Sequence, residues 1–221
     1  MKPSMPIFGA VLFVELLTAG SSGTSDRRSG PEKVIWHYLD SEFASAASDP
    51  TYWHRRWNLD FALEREKVRI GRPYSSYYLA VHGLEAFVGG AGLVESASLG
   101  STTYPIFGSG KLVGAIDVNE DSLYFQGRHL VGSVVDSIAT YHTERGDSVA
   151  MVVGHAIGGL IVIRASGQSA LRALPFGGAQ RFVNQLDGDG MIAYDRACAL
   201  LRPEAKKWLD RNHPTDTKPK K

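Results

Sequence analysis

Three stretches hold residues whose types and spacing could support chemistry. In Val152-Val-Gly-His-Ala-Ile-Gly-Gly159, the frame Gly154-His155-Ala156-Ile157-Gly158 lies between two apolar runs. Glycines flanking a central residue let a strand enter a tight turn and leave that residue exposed, which is what a nucleophile needs. The central residue here is Ala156, whose methyl group cannot attack a carbonyl, and no Ser, Thr, Asp or Cys in the frame replaces it. The second stretch, Asp187-Gly-Asp-Gly190, is similar to part of a calcium loop. Gln185 stands where that loop starts with an acid, and Arg196 where it needs a bidentate glutamate, so calcium is not predicted. The third, Gly108-Ser-Gly-Lys111, lacks the upstream glycine and the Ser/Thr after lysine of a phosphate loop and reads as a turn. No metal or other cofactor is predicted.

The elements that must position these residues follow from periodicity. Pro31 opens a pattern in which Ile35, Leu39, Phe43 and Ala46 recur at helical spacing, ending at Ser48-Asp49-Pro50. Trp53, Trp57 and Phe61 fit a helix, while Trp57, Leu59, Phe61 and Leu63 alternate as in a strand; either way they predict a buried face. Lys67–Ile70, Ser75–Val81 and Lys111–Val118 read as strands. Leu130, Val134, Ile138 and Tyr141 mark one face of a helix closed by Gly146. Ser148–Val153 is a near-continuous apolar strand that delivers the glycine frame, and Gly158-Gly159 begins a second helical or apolar segment. This alternation predicts an α/β fold with a mostly parallel central sheet flanked by helices.

With 221 residues, 43% hydrophobic content and a formal net charge of +1, one well-buried domain is expected, with no electrostatic bias toward nucleic acid. The lone Cys198 excludes an intramolecular disulfide. A basic start, an apolar run to Ala19 and small residues after it predict a signal peptide over 1–19 and a secreted or periplasmic protein. Ser21, where a lipidated cysteine would be required, excludes lipidation there, and the apolar run is too short for a membrane span. Residues 20–30 read as a flexible linker, 31–213 as the domain and 214–221 as a polar tail. Leu123-Tyr-Phe-Gln-Gly127 is similar to an engineered protease site, but Asp121-Ser122 precedes it and it reads as native.

Taken in chain order, these stretches resemble the α/β-hydrolase superfamily of esterases and lipases over roughly residues 65–214, as a small version with little or no lid. Tyr77–Gly83 looks like the strand ending in that family's His-Gly pair, here His82-Gly83, and Asp117 matches the end of a strand that crosses the sheet. Residues 154–158 match the nucleophile elbow. The resemblance implies oxyanion donors at the Leu84 and Ile157 amides, a triad of Ala156, Asp189 (or Asp187) and His213, and elbow residues Gly154, His155 and Gly158. It implies a small ester or lipid as ligand, no turnover as the sequence stands, and no cofactor. Two alternatives stay open: a non-catalytic binder of a small ester, lipid or protein partner, and a nucleophile-independent His/Asp general-base enzyme.

Overall fold

A computed structural model describes residues 30–119, 122–123, 134–177, 182 and 184–213. The signal peptide, most of the linker, the polar tail, most of Leu123–Gly127 and the Leu130 start of the central helix lie outside the described residues. The chain runs α1 (Gly30–Ala47), α2 (Tyr52–Trp57), β1 (Val68–Ile70), β2 (Tyr74–Tyr78), α3 (Val81–Val88), α4 (Leu93–Ser96), β3 (Ser98–Gly108) and β4 (Lys111–Asn119). It continues with β5 (Ser122–Leu123), α5 (Val134–Glu144), β6 (Ser148–Gly154), β7 (Gly158–Arg164), β8 (Leu171–Phe176), β9 (Ile192–Ala193) and α6 (Tyr194–Asn212).

The sheet order is β5-β4-β3-β2-β6-β7-β8-β9, with β1 also on β3, and β2–β6 is the one parallel pair among the described residues. The mostly parallel sheet expected from the sequence is therefore corrected to a mixed, mainly antiparallel one. The overturning element is the run after the glycine frame. Leu160-Ile-Val-Ile163 does not leave as a helix; it returns as β7, antiparallel to β6 from Gly154↔Gly158 to Ser148↔Arg164. Its β-branched side chains suit a strand packed on both faces, where a helix would restrict them. The segment Ala205–Asp210, which the hydrolase resemblance would make the last strand before His213, belongs instead to α6, whose buried Tyr194, Ala197, Cys198, Leu201 and Ala205 follow helical spacing across an internal Pro203.

Alternation along β6 and β7 gives the sheet two different faces. Ala150, Val152, Leu160 and Val162 join Leu84, Phe87, Leu93 and Leu201 in one cluster, under α3, α4 and α6. Val149, Met151, Ile161 and Ile163 join Tyr74 and Ala139 in another, under α5. A third cluster, with Ile35, Leu39, Trp53 and Trp57, seats α1 and α2 against β3 and β4. There Trp57 Nε1–H donates to the buried carboxylate of Glu42 at 2.5 Å. Trp53 and Trp57 are core, as their spacing predicts, whereas Phe61 is 39% exposed.

Candidate functional site

The glycine frame is the tip of the β6–β7 hairpin. His155, Ala156 and Ile157 form a three-residue connection, and Gly158 follows at φ 77°, the left-handed conformation that closes such loops and favours glycine. Gly159 is required for a different reason: a Cβ there would lie 2.1 Å from the Phe176 ring on β8. The Ile157 N–H donates to Gly154 O at 3.1 Å, and the Leu84 N–H to Ala80 O at 2.8 Å inside the first turn of α3. Both amides assigned to an oxyanion hole are thus occupied by local backbone bonds. His155 is exposed and meets Tyr78 edge to face, with ring centroids 6.1 Å apart. Tyr78, His155 and Ala156 border an open depression of about 430 Å³.

The other members of the expected triad lie on different elements. His213 is the C-cap of α6, its ring tilted against that of Trp208 at 5.6 Å between centroids, and Trp208 packs against the α3/α4/α6 cluster. Asp189 sits in the turn before β9, where it accepts Arg172 Nη2 at 2.8 Å and the Met191 N–H at 3.1 Å. It lines a recess beside α5, the helix on the opposite face of the sheet. Asp187 accepts the same Arg172 Nη2 at 2.9 Å. Among the described residues neither aspartate bonds a histidine, and Asp117 is buried on β4 as the acceptor of Thr103 Oγ1 at 2.6 Å.

A histidine and a carboxylate do meet elsewhere, at the end of α5. Gly146 there has φ 89°, its N–H donates to Thr143 O at 2.9 Å, and the Asp147 N–H donates to His142 O at 3.1 Å. This paired bonding is the Schellman ending of a helix, which folds the residue after the glycine back onto the residue five before it. That contact is ordinarily apolar. Here it is polar: His142 Nδ1 lies 2.7 Å from Asp147 Oδ2, with the two side chains 17% and 12% exposed. The second oxygen, Oδ1, accepts the Ser166 N–H from the β7–β8 turn at 2.9 Å. His142 first and Ser166 second hold the Asp147 carboxyl below the usual carboxylate range. An ionised carboxylate only accepts, so Nδ1 carries the shared hydrogen, and in the neutral imidazole Nε2 then keeps the lone pair.

His142 lines the same recess as Asp189. The recess measures about 520 Å³ and is bordered by Val134, Ser137, Ile138, Tyr141, Leu174, Gly190 and Met191 as well. Ser137 and His142 are five positions apart on one helix, roughly 140° around its axis, so they flank the recess from two sides. Sequence reasoning named Val134, Ile138, Tyr141, Gly146 and Asp189 but missed the histidine–aspartate pair. The available signal was a histidine in the last helical turn with an acid directly after the closing glycine.

No protein family, curated protein or solved structure matches the chain. Among the described residues, no helix is long and apolar enough to cross a membrane, and no three His, Cys, Asp or Glu residues are grouped to hold a metal ion.

Proposed function

We propose that the protein is a nucleophile-independent general-base enzyme acting on a small, largely apolar molecule in the recess beside α5. The observation that carries this reading is the 2.7 Å contact of Asp147 with His142 Nδ1, made by a histidine that lines an apolar recess. In this role Asp147 fixes the tautomer and steadies the imidazolium that forms when Nε2 takes a proton. The Ser166 N–H fixes Asp147 in turn. Ile138, Leu174 and Met191 supply the apolar wall that holds a substrate and thins the water around the base. The reaction class is abstraction of an acidic proton from the bound substrate.

A neutral carbon acid that needs only a base tests this directly. In 5-nitrobenzisoxazole, loss of the ring C–H proton to His142 Nε2 forms a nitrile as the N–O bond breaks, leaving a phenolate. The full chain should accelerate the reaction over buffer. His142→Gln, which keeps an amide partner for Asp147, should lose about 100-fold or more of the acceleration. An unchanged rate in a folded His142→Gln protein rejects the proposal. Binding of the probe without turnover by the unaltered chain would move the reading to the non-catalytic binder.

A further inference from the structure

The chemistry of the recess wall also restricts what enters it. Its ionisable lining residues are Tyr141, His142 and Asp189; no Lys or Arg lines it among the described residues. Both hydrogen bonds to Asp189 fall on Oδ1, from Arg172 and from the Met191 N–H. Oδ2 accepts none among the described residues, and the side chain is 55% exposed. Arg172 does not neutralise it alone, because the same Nη2 also serves Asp187. Arg196 reaches Asp187 only at 4.0 Å. Arg145 lies over the Tyr141 ring at 5.1 Å and donates to its hydroxyl. A bound anion would thus meet a carboxylate and no lining cation, while a bound cation would meet an acceptor with an open oxygen.

We propose that the recess takes an amphipathic amine, whose ammonium meets Asp189 Oδ2 while its aryl or alkyl body lies on Ile138, Leu174 and Met191. This rests on the recess being the ligand site, as the general-base reading also does. It assigns Asp189 to substrate selection, not to orienting a histidine. The attraction is partly solvated, so it discriminates by charge more than it adds to affinity.

Three ligands with one body separate charge from shape: phenethylamine, 2-phenylethanol and phenylacetate, titrated calorimetrically into the full chain at low ionic strength. The amine should bind about tenfold more tightly than the carboxylate, with the alcohol between them. Asp189→Asn, which still accepts the Met191 N–H, should bring the amine down to the alcohol and leave the alcohol unchanged. Ser137→Lys, which adds a cation to the same lining, should remove the amine preference. Carboxylate binding equal to or tighter than amine binding overturns the proposal. So does an amine preference that survives Asp189→Asn, or the absence of binding by all three. The two readings fail separately: a neutral probe reports on His142 without an ammonium, and the charge order is read without turnover.

Discussion

Strand β6 has a glycine turn at each end, and the two turns do opposite things with their neighbouring side chains. At its C-terminal end, Gly154 and Gly158 close a hairpin that presents Ala156 and exposed His155 and uses up the Ile157 amide. At its N-terminal end, Gly146 closes α5 and folds Asp147 onto His142. The first turn has the spacing of a catalytic motif and the geometry of a strand reversal. The second has no motif and brings an acid to a base. Glycine spacing therefore reports backbone conformation, and chemistry depends on which side chains that conformation sets against each other.

The largest effect that would separate the two ends is steric. Gly159→Val should cost about 3 kcal/mol in urea unfolding, because its Cβ must displace the ring of Phe176, the residue opposite it in the β7–β8 ladder. A loss well under half of that would mean that the Phe176 ring swings aside instead of resisting the added side chain. Next is Asp147→Ala, with an expected loss of about 1.5 kcal/mol at neutral pH as His142 and the Ser166 N–H lose their acceptor. The pH dependence has a definite sign. Asp147 is lowered in the folded state, so its contribution is fully present above the unfolded carboxylate value and is lost as pH falls through the lower folded one. The stability gap between the unaltered chain and Asp147→Asn should accordingly narrow below about pH 4, the unfolded value. A gap independent of pH would remove the ionised carboxylate from the contact.

Gly158→Ala should cost about 1 kcal/mol, since an L side chain at that positive φ is strained whatever the space around it. The smallest effect, and the sharpest for the comparison, is Ala156→Ser. One added oxygen on a partly exposed hairpin tip should change stability by less than about 0.5 kcal/mol. It should also gain no fluorophosphonate label, because the Ile157 and Leu84 amides already donate to backbone carbonyls. Labelling of Ala156→Ser that disappears with His213→Ala would restore the triad implied by the hydrolase resemblance.

Much of the local structure was legible. The Ile35/Leu39 period gave α1, the apolar run Lys111–Val118 appears as β4, and Ser148–Val153 appears within β6. Two local signals pointed the wrong way. Pro203 and the charged Lys206-Lys207 pair obscured the long helical stripe of α6, and the glycine frame suggested a helix where Leu160-Ile-Val-Ile163 makes a strand. The site was legible only in pieces. Asp189 and the apolar face of α5 stood out in sequence, but nothing in chain order places Leu174 and Met191 opposite that helix.

Sequence alone determined where the chain must turn and which residues must leave water: positive φ at Gly146 and Gly158 is a local steric demand, and apolar spacing fixes which face of an element is buried. The tertiary structure decided direction and partnership. An apolar strand such as β7 can pair on either side and in either sense, since its backbone donors and acceptors are the same in each case. Its antiparallel return between β6 and β8 was settled by the short 155–157 connection and by Phe176 lying against Gly159. That choice put Ala156 at a hairpin tip and left α5, with His142 and Asp147 at its end, to line a recess of its own.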